Sequence, residues 1–485
     1  MLSRDDTDRG RARSSGADAD SLYRLEVTAA QAKLPMDVQT QPMQPSAHAH
    51  PAPIVRVGLL GCGNVGSALA EILLTRAEDV AERTGIRLEL VGIAVADPTK
   101  PRAAAIDTAL INADAAALVT RDDVDVVVEL IGGLHPAHEL VETALRNGKP
   151  VVTGNKALLA VAGAELSEVA ADAGVDLLYE AAVAGAIPVI RPLRESLAGE
   201  QILRVMGIVN GTTNFILTRM EEKGDDYDDV LREAQELGLA ERDPTADVDG
   251  HDAAAKAAIL AVLAFGLDVV DADVYREGIG AVSAADVAYA KQLGYSVKLL
   301  AIAELVDGGP EISVRVHPAM VPHTHPLASV RGAFNAVFVE GAVSGELMFY
   351  GRGAGGGPTA TAMLGDLVDA SRNLLAGAPA PAPKRASSTM RAQQDLRSAF
   401  YLSLDVADRP GVLAAVAKIF GDHNVSIRAM EQVGLAEEAR LIFLTHVARE
   451  GDLLATIDAL RQLQAVDRVS GVLRVIGETD DGGAS

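Results

Sequence analysis

The sequence predicts an α/β protein in three folded parts: an open parallel sheet with flanking helices, an α+β domain, and a small C-terminal βαββαβ unit. Three observations carry this. A glycine run, GCGNVG, lies between an apolar strand and an amphipathic helix near the start. The strand–helix alternation after it changes near Pro192, first to helices and then to alternating strand-like runs. Past a Pro/Ala segment, strand, helix, strand, strand, helix and strand follow once in that order. At 485 residues and 49% hydrophobic, the chain is long enough for two or three cores.

Residues 1–53 are mixed in charge and then rich in Gln, Pro, His and Ala, which predicts a disordered extension. They lack the apolar centre of a secretory signal, and Met36 and Met43 are alternative starts. A net charge of −24 argues against nucleic acid or anionic membrane as a partner. No uncharged apolar run reaches the length of a bilayer span, so the expected location is cytoplasmic. Cys62 is the only cysteine, which excludes an intrachain disulfide and zinc-cysteine clusters.

The first domain is expected over residues 54–191, completed by 349–375. Gly61, Gly63 and Gly66 fit G-x-G-x-x-G after a strand and at a helix start, the setting of a Rossmann-type dinucleotide site. Gly61 allows the tight turn, Gly63 lets a pyrophosphate approach, and Gly66 lets helix and strand pack. The helix is expected to run through Arg83. A second strand, LELVGIAVA, ends near Ala96; Lys100 and Arg102 follow Asp97 and suit a 2′-phosphate, or are plain surface charge. This favours NADP, with NAD also admitted. From Asp125, DVVVELIGG is a buried strand ending at Gly132 and Gly133, where a parallel sheet presents its carboxyl ends to a cofactor. After a helix over Ala137–Asn147 and the strand in PVVTG, Asn155 and Lys156 sit at a strand end facing cofactor or substrate. The lesser alternative is a helix-start asparagine and a solvent lysine. Glu180, an acid in an apolar run, needs a cation or hydrogen bonds.

Residues 192–348 are expected to form the substrate and dimerisation domain. ILRVMGIVNGTTNFIL reads as a strand, an Asn-Gly turn and a helix. Then Glu241, Asp243, Asp247 and Asp249 crowd a turn-rich loop, and from about His251 a helix places Asp252 and Lys256 at i and i+4. By spacing alone this is a reactive pair or an ordinary helical ion pair. Crowded or desolvated lysines are expected to have lowered pKa values. ISVRVHP, AFNAVFVEG and GELMFYG are strand-like; His317, His323 and His325 lie among prolines without paired carboxylates, so metal is not expected there. GRGAGGGPTATAMLGDLVDAS gives a glycine loop and a helix returning to the first domain. Residues 376–396 read as a linker and 397–477 as a ferredoxin-like unit.

Together GCGNVG, ELIGG, NKALLA, EAAVAGAIP, GIVNGTTNFIL, AERDPTADVDGHDAAAKAA and GRGAGGGPTA resemble homoserine dehydrogenase. DVADRPGVLAAVAKIF resembles the ACT domain of its long bacterial form. The resemblance spans about 54–477. It implies reversible oxidation of L-homoserine to L-aspartate 4-semialdehyde with NAD(P), on the route to threonine, methionine and isoleucine. It implies Lys256 as proton donor and acceptor, Lys156 as a second active-site lysine, and Glu241 on the substrate ammonium. Asp247 and Asp252 would orient substrate and lysine. Asn64, Val65, Gly355 and Thr359 match cofactor contacts. Glu180 matches the carboxylate of a monovalent-cation site (sodium or potassium), completed by the carbonyls of Val183, Gly185 and Ile187. A homodimer or homotetramer, with threonine as effector of a separable ACT unit, is expected. Two departures stand out: Gly154 where the family often has alanine, and Ala96 where some members have arginine. An aspartate-semialdehyde dehydrogenase would need a catalytic cysteine, and Cys62 sits inside the glycine loop. A 2-hydroxyacid dehydrogenase would need a histidine–carboxylate pair that is not evident, and a pure amino-acid sensor has no use for the lysines.

Overall fold

The computed structural model describes residues 52–103, 105–380, 389–435 and 438–477. The N-terminal extension, but for its last two residues, and 381–388 of the linker lie outside them. The first sheet holds β1 (Ile54–Leu60), β2 (Arg87–Ala94), β3 (Ile111–Asn112), β4 (Val126–Glu129), β5 (Val151–Thr153) and β6 (Leu177–Leu178). All pair in parallel, in the order β3-β2-β1-β4-β5-β6, the doubly wound arrangement. Val126, Val127 and Val128 are fully buried because helices cover both faces. The first crossover departs from expectation. It is two helices, α1 (Asn64–Thr75) and α2 (Ala77–Thr84), broken at Arg76 with φ −124°. The second has its own signals: Glu78 and Asp79 in its first turn, Arg83 in its last, and left-handed Gly85 closing it. Helices α3 (Ala115–Thr120), α4 (Ala137–Arg146) and α5 (Lys156–Ala173) complete this layer.

The chain then builds β7 (Ile202–Ile208), α6 (Gly211–Lys223), α7 (Tyr227–Glu236), α8 (Thr245–Val248) and α9 (His251–Phe265). Next come β8 (Tyr275–Arg276), α10 (Ala284–Gln292), β9 (Tyr295–Leu305), β10 (Glu311–Pro322), β11 (Phe334–Gly341) and β12 (Gly345–Arg352). The long strands pair antiparallel as β12-β11-β7-β9-β10. Strand β9 was not resolved by sequence pattern although it is central. Eight of its positions, Ser296 to Ala303, are buried, so the period-2 signal is lost. Alanines of α9 share a core with Val297, Leu299, Ala301 and Ala303, so that helix lies close on the sheet.

Helix α11 (Gly356–Ala376) returns to the first domain, where Ala360, Met363 and Leu367 share a core with Val57 and Leu69. Strand β13 (Thr389–Met390) follows. The C-terminal unit holds β14 (Arg397–Ala407), α12 (Val412–Asp422), β15 (Ile427–Leu435), β16 (Glu438–Thr445), β17 (Ala448–Arg449), α13 (Glu450–Gln462) and β18 (Val466–Val475). Its strand order β18-β14-β16-β15 is ferredoxin-like, around a core that includes Phe400, Phe420 and Phe443.

This unit is not a separate bead. The outer edge of β10 is covered piecewise: β13 at Glu311–Ile312, β8 at Arg315–Val316 and β18 at Ala319–Met320. The second and third domains therefore share one twelve-stranded sheet. The far end of the linker is part of that sheet, with Arg391 donating to Glu311 and Asp307. Tyr401 donates to Asp286 at 3.0 Å, and buried Arg474 pairs with Glu450 and, at 2.9 Å, with Glu277. Among the described residues no helix is long and apolar enough to cross a membrane.

Candidate active site

The acidic loop enters α9 through Gly250, held at φ 82°, a left-handed conformation that favours glycine. The first two turns of α9 then carry Asp252 and Lys256 on one face, each 8% exposed. Lys256 Nζ donates to Asp252 Oδ2 at 2.8 Å and to the Val209 carbonyl at 2.6 Å. Lys156 arrives from the end of the first sheet, its Nζ 2.8 Å from Asp252 Oδ1. One buried carboxylate thus lies between two lysines, one buried and one half-exposed. Asn155 is indeed the N-cap of α5, accepting from the Leu158 amide, and that cap fixes where Lys156 emerges.

The electrostatics follow from this geometry. Burial opposes charge on Asp252, but the two ammonium groups and their hydrogen bonds outweigh it and hold its pKa far below the usual carboxylate range. Burial also pulls Lys156 down, yet Asp252, with Asp247 and Glu241 behind it, carries the net shift upward. The lowered amine expected from crowded lysines is therefore corrected for Lys156: the nearest charge is a shared carboxylate. Asp247 is half-buried and accepts from Asn210; Glu241 is exposed, its charge reaching Lys156 without a hydrogen bond to the cluster. Asp243 accepts from Thr245 and shapes the loop.

On the cofactor side Gly61 has φ 91°, and a Cβ there would lie 2.5 Å from the Leu130 carbonyl oxygen. A Cβ on Gly66 would lie 2.3 Å from the Gly61 oxygen, whereas Gly63 faces open space, as a site for a pyrophosphate needs. Asn64 and Val65 open α1, and Gly356 at the start of α11 packs against Asn64. Gly355 and Thr359 stand at that same start, the Thr359 amide donating to the Gly355 carbonyl. The loop therefore does return to the glycine turn. Gly132, at φ 81°, has open space around it, and its amide and that of Ile131 are held by Glu129. Lys100 is exposed beyond β2. Arg102 is committed to the Lys100 and Asp97 carbonyls, so it braces the turn.

Glu180 takes the hydrogen-bond alternative. Its carboxylate accepts the amides of Val189, Ile190 and Arg191, so the side chain is occupied in tying 180 to 191. The tight turn between, with Ala184 at φ 57° and Gly185 at φ 60°, packs against Gly353 of the glycine loop. His317 is fully buried, and among the described residues no group of three His, Cys, Asp or Glu could hold a metal.

Four contributors escaped the sequence reading: Asn210, the Val209 carbonyl, Glu129 and Asp366. An Asn-Gly pair reads as turn chemistry, which conceals that Asn210 donates to Asp247 at 2.7 Å and to Asp252 at 2.9 Å. Asp366 of α11 accepts the Glu180 amide at 2.6 Å and faces Arg191 at 3.4 Å. Burial, with the Glu180 charge, pushes its carboxyl up to about 7 against those two partners. A carboxyl raised in the folded state stabilises most below its unfolded pKa and loses that contribution as pH rises through the folded value. Between pH 5 and 8 the wild type should lose about 3 kcal/mol more stability than non-titrating Asp366→Asn. Urea melts at both pH values check this; parallel losses would refute it.

Three family models match in chain order: the homoserine dehydrogenase NAD-binding domain at 61–180, homoserine dehydrogenase at 188–368, and the ACT domain at 400–465. The homoserine dehydrogenase of Corynebacterium glutamicum is 50% identical over 429 residues, 88% of this chain and 96% of that one. The crystal structure of a homoserine dehydrogenase from Thiobacillus denitrificans superposes with a TM-score of 0.82 at 42% identity, covering 87% of this chain and 98% of that one. A hyperthermophilic archaeal homoserine dehydrogenase in complex with NADPH matches at a TM-score of 0.55 and 29% identity, over 66% of this chain and 98% of its own. With the three family models following one another along the chain and a relative 50% identical over 88% of it, the chain belongs to the homoserine dehydrogenase family, in the form that carries an ACT domain.

Proposed function

We propose that the cluster centred on Asp252 is where this chain carries out the family reaction, the reversible NAD(P)-dependent interconversion of L-homoserine and L-aspartate 4-semialdehyde. The observation that carries the assignment is one buried carboxylate holding two lysines at 2.8 Å each, where the two domains meet. The nicotinamide cofactor, when bound, supplies or accepts the hydride. As the aldehyde oxygen gains charge, Lys256 stabilises it and gives it a proton; in the oxidative direction the same amine accepts the hydroxyl proton. Asp252 aims both lysines, and Lys156 adds a second positive charge from the cofactor side. Glu241 and Asp247 hold the substrate ammonium.

NADP is the proposed coenzyme, with Lys100 beyond β2 as the charge for a 2′-phosphate. A monovalent cation, sodium or potassium, is proposed on the carbonyls of Val183, Gly185 and Ile187 with the Glu180 carboxylate, whose Oε1 accepts two backbone amides and whose Oε2 accepts one and keeps acceptor capacity. Threonine is the proposed effector. An open cleft of about 370 Å³ beside the Asp408–Gly411 turn, with Gln432 on its wall, supports a small polar ligand on the ACT unit. A homodimer or homotetramer completes the reading, for light scattering to measure.

The test is steady-state oxidation of homoserine by the purified protein, with NADP against NAD, with and without sodium or potassium, and with and without millimolar threonine. Turnover with NADP preferred and threonine inhibition are the expected results. No turnover under any combination would sink the assignment, and indifference to threonine would remove the effector alone.

A further inference from the structure

We propose that Asn210 is a positioning residue for proton transfer, acting through Asp252. The proposal rests on the reading of the Asp252 cluster as the site of reaction and adds to it the group that sets its geometry. Asn210 lies between the end of β7 and the start of α6 and is 5% exposed. Its Nδ2 donates to Asp247 Oδ1 at 2.7 Å and to Asp252 Oδ2 at 2.9 Å, so both amide protons are used on two different carboxylates. Its Oδ1 accepts from the Thr213 amide at 2.9 Å and from Thr213 Oγ1 at 3.0 Å. The amide therefore cannot turn over: the reverse orientation would set its oxygen against two carboxylates and its NH2 against a backbone N–H.

The residue before it completes the arrangement. The Val209 carbonyl accepts from Lys256 at 2.6 Å. One strand end thus fixes both members of the pair, the lysine through a carbonyl and the aspartate through an amide. A neutral donor is what the position demands. Asp247 and Asp252 both meet the same NH2, and the amide separates two like charges while leaving the two lysines on Asp252. Asn210 also caps α6, so a purely structural role has to be separated from a positioning one.

Two substitutions make that separation, because Asp and Ser are both good N-caps. Asn210→Asp keeps the cap and places a third carboxylate against the other two, so the cluster holds its protons to higher pH. The acid limb of homoserine oxidation should move up by about one pH unit, with kcat near pH 8 down about ten-fold. Asn210→Ser keeps the cap without charge and cannot donate twice; kcat should fall about ten-fold with the acid limb in place. In both, the KM for NADP stays within two-fold and the melting temperature close to wild type. Wild-type kcat and pH profile in both variants would overturn the proposal and leave Asn210 a helix cap. The underlying reading fails separately: Lys256→Met turning over like wild type would remove the cluster from the reaction whatever the Asn210 variants do.

Discussion

Replacing Lys256 with methionine lowers homoserine turnover by about 10²–10⁴-fold while NADPH affinity stays within two-fold. The range is what a positioned general acid–base contributes. Methionine matches the apolar stem of lysine without its terminal amine, so Ala253, Ala257 and the rest of the buried face of α9 keep their packing. Asp252 keeps Lys156 at 2.8 Å and Asn210 at 2.9 Å, so its charge is not stranded. The Val209 carbonyl loses its donor, a cost of about 1–3 kcal/mol. Cofactor affinity is insulated because the glycine turn belongs to the other core. The chain has no tryptophan, so the fluorescence of bound NADPH can be titrated against little protein background. A variant that binds NADPH normally and still turns over homoserine at the wild-type rate would take the proton away from Lys256. Lys156→Met is the comparison: that side chain is 46% exposed and meets Asp252 from the cofactor side, so it should lose less in turnover.

What the sequence made legible is what local chemistry encodes. The glycine turn announced itself because Gly61 and Gly66 are positions where a Cβ would strike backbone. Helix α9 and the Asp252–Lys256 spacing were legible because i and i+4 fix a face whatever the surroundings. The partner across the cluster was not derivable that way. Lys156 lies 96 positions from Asp252 in the sequence, and only the resemblance joined them. Asn210 was concealed by its own ordinariness as a helix cap. Strand β9 was lost because burial on both faces removes the alternation that marks a strand. For Glu180 an acid in an apolar run has two solutions, and the backbone amides it accepts nine to eleven residues on are invisible to a pattern search. The edge of β10 is the furthest case. Its three partners, each pairing over two residues, come from segments before and after it, and no local signal says that β18 will finish a sheet begun at β7.

That shared sheet sets the second large effect: Arg474→Met should destabilise the protein by about 3–5 kcal/mol, the cost of breaking a buried ion pair from one side. Arg474 is 4% exposed and Glu450 1%; the guanidinium holds Glu450 through Nε and Nη2 and Glu277 through Nη1 at 2.9 Å, and stacks over the Tyr275 ring at 5.5 Å. Removing it leaves the Glu450 carboxylate buried without its cation. The double variant Arg474→Met/Glu450→Met should recover most of the loss, because a matched apolar pair carries no stranded charge. Urea midpoints of wild type, single and double variants measure this; a single variant as stable as wild type would mean Glu450 finds another partner. The site of the damage matters for function. Glu277 precedes Gly278, whose Cβ would lie 2.4 Å from the Val248 oxygen, and the Ile279 amide donates to that same oxygen at 2.8 Å. Val248 is the residue after Asp247 and four before Asp252. Loosening Arg474 therefore loosens the loop proposed to hold the substrate ammonium, and the KM for homoserine should rise more than the KM for NADP. Truncation near residue 390 would break the same contacts. Without β18, Ala319 and Met320 lose their pairing, Asp286 loses Tyr401 and Glu277 loses Arg474. The shortened chain should melt well below the full one and aggregate through the bared edge of β10, rather than survive as an enzyme that has merely lost its sensor.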